Sequence, residues 1–178
     1  MTVQIKYKNN LLNKNTANLV YFVDDKFNVS SLKKHILSNE FSFISDLMKT
    51  KDIKKKIVIF EISSKKKIIL ISIKKNLTSS DAENLGAKFF DKFKKLKQND
   101  YGIISDTIPN QLKHVLAHFL HGLKLKSYLF DKYKTKKNKK IMLITVMGKN
   151  KPNLKDQIKQ RDLDDSTRNI SPLVKAED

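Results

Sequence analysis

Residues 109–123 read Pro109-Asn110-Gln111-Leu112-Lys113-His114-Val115-Leu116-Ala117-His118-Phe119-Leu120-His121-Gly122-Leu123. Leu112, Val115, Leu116, Phe119, Leu120 and Leu123 recur at i, i+3, i+4, i+7, i+8 and i+11, the spacing of one apolar stripe on an α-helix. Pro109 or Asn110 starts that helix. A helix so one-sided needs a layer to lie on, and strands stand on either side of it. Tyr101 to Ile104 precedes it as a short strand, and Ile141 to Met147 follows it as another.

Working outward, Ser80-Asp81-Ala82-Glu83 has the spacing of a capping box. The helix it opens carries Ala82, Leu85, Phe89, Phe93 and Leu96 on one stripe and lysines opposite. Gly86 sits inside it, where glycine costs about 1 kcal/mol against alanine. Close packing of that helix on the sheet is the expected reason. Lys56 to Ile62 and Lys67 to Ile73 are strands joined by a turn at Ser63 to Lys66, which predicts a hairpin. Ser30 or Ser31 caps a short helix through Leu37, and a second helical stretch covers Phe41 to Met48. Leu19 to Val23 is a continuous β-prone run, read as a buried strand. Val3 to Tyr7 alternates apolar and polar, as a half-buried strand does. Strands alternating with helices define an α/β layered domain with a mixed sheet flanked by helices. No internal repeat interrupts it.

The chain has 178 residues, 37 Lys+Arg, 18 Asp+Glu and a net charge of +19. That length suits one domain plus a tail, and a chain of this size buries roughly 70% of its unfolded surface without staples. Cysteine is absent, which excludes disulfides, thiolate metal sites and a cysteine nucleophile. The longest apolar runs, such as Ile68 to Ile71, are far too short to span a membrane, and no basic-then-apolar leader opens the sequence. A cytoplasmic protein without a membrane partner is the expectation. Arg161 and Arg168 are the only arginines; every other basic residue is lysine. Lysine attracts polyanions as a point charge, whereas sequence readers recruit the planar fork of arginine. Weak, salt-sensitive polyanion binding fits such a surface. Charge also divides the chain: residues 152–178 carry −1 and residues 1–151 carry +20. Apolar density falls after Gly148. A folded domain over 1–148 followed by a connector over 149–178 is therefore expected, with Leu154 and Ile158 on one turn of helix beginning near Asn153.

Candidate chemistry is sparse. His114, His118 and His121 lie within about 60° of one another on the helix opened above, opposite its apolar stripe. Two of them could reach one metal, but no HExxH pattern accompanies them, and the carboxylates nearest in sequence are Asp106 and Asp131. Solvent-exposed histidines without a metal are the expectation. The four glycines, Gly86, Gly102, Gly122 and Gly148, are too far apart for a phosphate-cradling loop. Residues 131–151 hold eight lysines against one aspartate, with Tyr128, Phe130 and Tyr133 nearby. Lysines on phosphates with rings under bases would look like this. So would a solvated loop whose rings tuck into the domain. No catalytic, cofactor-binding or metal residue is assigned within the chain.

The stretch His121-Gly122-Leu123-Lys124-Leu125-Lys126-Ser127-Tyr128-Leu129-Phe130-Asp131-Lys132-Tyr133-Lys134-Thr135-Lys136-Lys137 resembles the leucyl (cytosol) aminopeptidase family. There a Glu-Gly pair leads to Tyr-Arg-Phe-Asp-x-Tyr-Lys-Thr/Ser-Lys and closes the non-catalytic N-terminal domain. His121 stands for the glutamate and Leu129 for the arginine. Ile73-Lys74-Lys75 replaces the family's Gly-Leu-Gly, while Leu77-Thr78 keeps its Leu-Thr. In the tail, Arg161-Asp162-Leu163 followed by Asn169-Ile170 and Pro172 is similar to the segment that leads into the family's catalytic domain.

The resemblance implies a macro-domain-like fold and a metallopeptidase, a hydrolase of proteolysis that removes N-terminal amino acids when complete. Its two divalent metals, zinc or manganese, and its catalytic residues belong to a C-terminal domain that would begin where this sequence stops. The expectation is thus a truncated or split chain, inactive alone, with a structural or oligomerisation role. Its implied partners are that catalytic domain, in cis or as a separate chain, and further copies in a hexamer. A stand-alone Lys-rich module binding nucleic acid or another polyanion is the alternative.

Overall fold

The apolar runs of the sequence assemble into one six-stranded sheet in a computed structural model that describes residues 1–9, 18–50, 53–128 and 140–153, with Lys155. The elements are β1 (Thr2–Lys8), β2 (Asn18–Asp24), α1 (Ser38–Thr50), β3 (Ile57–Glu61), β4 (Lys67–Ile73), α2 (Ser79–Phe93), β5 (Asp100–Ile104), α3 (Lys113–Tyr128) and β6 (Ile141–Met147). Strand order is β1-β6-β5-β2-β4-β3. Every neighbouring pair is parallel except β3–β4, the antiparallel hairpin expected from the turn at 63–66. β2 and β4 read as continuous apolar runs because they lie inside the sheet with both faces covered. β1 is an edge strand, and its alternating burial matches its alternating sequence.

Helices cover both faces. Under α2 and α3, Val20, Phe22, Ile69, Ile71, Ile103, Ile144 and Val146 of the sheet meet Leu85, Phe89, Val115, Phe119 and Leu123. On the other face α1 and a 3₁₀ turn, Ser30–Lys34, place Ile44 and Leu32 over Leu19, Tyr21, Ile68 and Leu70. The stripe on α3 is fully buried, as its spacing predicts. Phe119 meets Phe22 and Phe89 edge-on, each at 5.6 Å between ring centroids.

Local details depart from the sequence reading in physically simple ways. α2 is capped by Thr78, not Ser80. The Asp81 N–H donates to Thr78 Oγ1 at 3.1 Å, and that hydroxyl donates back to Asp81 Oδ2 at 2.8 Å. The hydroxyl that wins is the one whose backbone is extended, at φ −76° and ψ 161°. The helix expected from Ser30 or Ser31 to Leu37 is a 3₁₀ turn with no side-chain cap. A 3₁₀ turn, Asn110–Leu112, precedes α3 and delays its start to Lys113. Leu96 lies beyond α2 and is only partly buried.

Gly86 packs against α3, not against the sheet. A Cβ on it would lie 1.9 Å from Phe119 O, and one on Gly122 would lie 2.0 Å from Glu83 O. The two helix backbones therefore touch at this crossing. A buried ion pair also escaped the sequence: Lys66 Nζ meets Glu40 Oε1 at 2.6 Å, tying the first turn of α1 to the β3–β4 turn. Residues 129–137 of the aminopeptidase-like motif lie outside the described residues, as does the expected connector beyond 153 apart from Lys155.

Two substitutions test this packing. Gly86→Ala lowers stability by about 1–3 kcal/mol through forced separation of α2 and α3, although alanine is the better helix former. Phe119→Ala costs about 3–5 kcal/mol. Urea unfolding followed by circular dichroism measures both; a Gly86→Ala chain as stable as wild type would refute the backbone contact.

Candidate functional site

Sheets of this kind bind ligands outside the carboxyl ends of their strands, where the order of connections reverses. Here the chain passes from β2 to β4 on one side, then back across β2 to β5 on the other. The corresponding crevice lies at the ends of β2 and β5. Their ladder is short: Leu19 pairs with Gly102 and Val20 with Ile103. Above that point the strands diverge. Thr107, in the 3₁₀ turn Ser105–Thr107, fills the gap: its Oγ1 accepts from the Phe22 N–H at 3.0 Å and donates to Ile104 O at 2.7 Å.

The two flanks of this crevice differ. Beside β6, the N–H groups of Lys149 and Asn150 donate to Asp106 Oδ1 at 2.8 and 3.3 Å, and the fully buried Ser105 hydroxyl donates to Met147 O at 3.0 Å. Successive backbone N–H groups after a left-handed glycine form a concavity suited to an anion. The chain's own carboxylate occupies it. Beside β2, the loop after Asp24 opens onto a groove of about 400 Å³, lined by Asp25, Phe27, Asn28, Ser45, Met48 and Lys49. Phe27 stands in the left-handed region at φ +55°, a strained setting for a bulky residue. It is held there by its N–H to Asp24 O (3.0 Å), while the Asn28 N–H binds Asp24 Oδ1 (2.8 Å). Sequence reasoning assigned none of Asp24, Phe27, Ser105 or Thr107. The one signal within reach was Gly148 directly after a strand.

The histidines do not form a plain exposed face. The α2–α3 crossing brings Glu83, a residue far away in sequence, beside them. With protons on Nδ1, His118 and His121 both donate to Glu83 Oε1, at 3.1 and 3.2 Å. His114 lies 3.4 Å from Leu77 O through Nε2. The hydrogen bond from His118 is the main reason the Glu83 carboxyl sits below its ordinary range; partial burial opposes it and His121 assists. Farther along the same helix pair, partial burial works against the charge of Asp91. Lys94 at 2.6 Å and Lys126 at 3.3 Å nevertheless hold its pKa below the usual value. Among the described residues no group of three or more His, Cys, Asp or Glu is arranged to hold a metal ion. The lysine stretch at 131–139 lies outside the described residues.

No protein-family model matches the chain, and a search of curated proteins finds no match. Solved structures do match. A tomato leucine aminopeptidase variant superposes with a TM-score of 0.58 and 13% identity, over 89% of this chain and 35% of that one. The macrodomain of Thermus aquaticus DarG superposes with a TM-score of 0.50 and 10% identity, over 83% and 99% of the two chains. The class defined is a macrodomain-like α/β fold, similar to part of a leucine aminopeptidase. The chain spans about a third of that aminopeptidase's length. Among the described residues no helix is long and apolar enough to cross a membrane.

The depressed Glu83 carboxyl has a pH signature. A group whose native pKa lies below its unfolded value stabilises fully above the unfolded value, about 4.3, and loses that contribution as pH falls through the native one. The stability difference between wild type and Glu83→Gln thus shrinks as pH falls below about 4. Thermal unfolding of both chains across pH 3–7 measures it. A difference that grows toward low pH would contradict the assignment.

Proposed function

We propose that this chain is the non-catalytic N-terminal α/β domain of a leucyl aminopeptidase-type protein, serving to cover a catalytic domain and to contribute to a homo-oligomer. The observation that supports it is the unequal coverage of the backbone match: nearly all of this chain, but only about a third of the aminopeptidase. The motif at 121–137 and the tail segment at 161–172 point the same way. In the crevice, Thr107, Ser105 and Asp106 bond to the domain's own backbone.

Aminopeptidase chemistry of this class uses two ions to polarise a carbonyl and activate water. The described residues provide no cluster for them, and in this proposal the ions belong to the partner domain. The chain alone, with zinc or manganese added, is expected to leave leucine amide unhydrolysed. A separately expressed catalytic domain mixed with it is expected to turn over. Turnover by the chain alone would overturn the proposal.

A free-standing Lys-rich module keeps one observation in its favour besides the +19 charge: the match to a macrodomain covers 99% of that chain, so the similarity takes in nearly the whole of that structure. Nucleic-acid binding that persists at about 0.3 M salt would favour it, because contacts made by lysine to phosphate alone weaken steeply with salt.

A further inference from the structure

The backbone leaving β6 is fastened to the ends of both strands that flank it, β1 and β5. Its first residue, Gly148, donates its N–H to Lys8 O at the end of β1, at 3.3 Å. Lys149 and Asn150 donate their N–H groups to Asp106, just past β5, and the Asn150 side-chain amide donates to Ser105 O at 3.4 Å. The Lys151 ammonium reaches Asn9 Oδ1 beside β1, and Pro152 is buried.

Gly148 takes φ +124°, and a Cβ there would lie 2.6 Å from Ser105 Oγ and 2.8 Å from Asp106 Cγ. That backbone is one glycine adopts readily and other residues do not. Turn and carboxylate thus fit only each other. Two consecutive N–H groups on one carboxylate oxygen are charge-assisted bonds, stronger than those among neutral groups.

We propose that Asp106 is a latch that fixes the path by which the chain leaves the domain, clipping residues 148–153 across the carboxyl ends of β1, β6 and β5. Closed, it makes residues 148–153 part of the rigid sheet edge. Open, it leaves the same segment held by the Gly148 N–H, the Asn150 side-chain amide and the Lys151 ammonium, without the two bonds that fix the backbone at 149 and 150. The clip also secures β1, an edge strand whose ladder is with β6. The latch goes beyond the proposed function and does not rest on it.

Amide hydrogen exchange of the full chain tests it, with Ile144 in β6 as internal reference. In Asp106→Ala, exchange at Lys149 and Asn150 rises about tenfold or more relative to Ile144, the scale of a lost charge-assisted hydrogen bond. In Asp106→Asn, which keeps a carbonyl oxygen as acceptor, the rise is smaller. An unchanged ratio in Asp106→Ala overturns the latch, whether both sites keep wild-type rates or both accelerate together through global destabilisation. If Asp106→Ala does not fold, the ratio in Asp106→Asn decides by the same criterion: a measurable rise supports the latch and none overturns it.

Discussion

Two helix backbones touch where Gly86 of α2 meets Phe119 O of α3 and Gly122 of α3 meets Glu83 O of α2. Neither position has room for a methyl group, so the helices approach more closely than side-chain packing would allow. Much else on that face follows from the contact. Beneath it, Phe89, Phe93, Phe119, Phe22 and Tyr101 close into one aromatic cluster with ring centroids 4.4 to 5.6 Å apart. Above it, Glu83 comes within reach of His118 and His121, and farther along Asp91 reaches Lys126. Glycine inside a helix is normally a loss of stability. Here it is offset by apolar burial and by charged groups that could not meet across a wider gap.

The opposite face is held by different means. α1 buries only Glu40 and Ile44, and leaves Phe43 exposed. Its first turn is fixed by the Glu40–Lys66 pair, two charges largely out of water at 2.6 Å. Removing one partner of such a pair leaves the other charge buried alone, which costs far more than the pair contributes. The groove beside Phe27 lies at this thinner layer, between the loop after β2 and the last turns of α1.

At the carboxyl edge of the sheet the domain satisfies its own polar groups. Thr107 stands in for a missing ladder bond, and Asp106 occupies the anion-binding concavity after Gly148. A macrodomain-like fold hosts unrelated functions, so function must be read from the site rather than the architecture.

The sequence by itself determined the layers. Stripes at 3.6-residue spacing on α2 and α3 admit one side of contact each, and the continuous apolar runs at β2 and β4 need both faces covered, which helices layered on the two faces of a sheet provide. What it could not determine is which surfaces meet. Gly86 reads the same whether it faces a sheet or a helix, and Thr78 and Ser80 are both chemically able to cap. His114, His118 and His121 lie opposite the apolar stripe in projection, yet two of them meet Glu83 of α2, because the two helices cross closely enough at Gly86 and Gly122 to bring it to them. Glu83 and His118, like Asp106 and Lys149, are separated by more than thirty residues. Contacts across such distances arise from chain topology and from the fit of backbones, and neither leaves a periodic trace in the sequence.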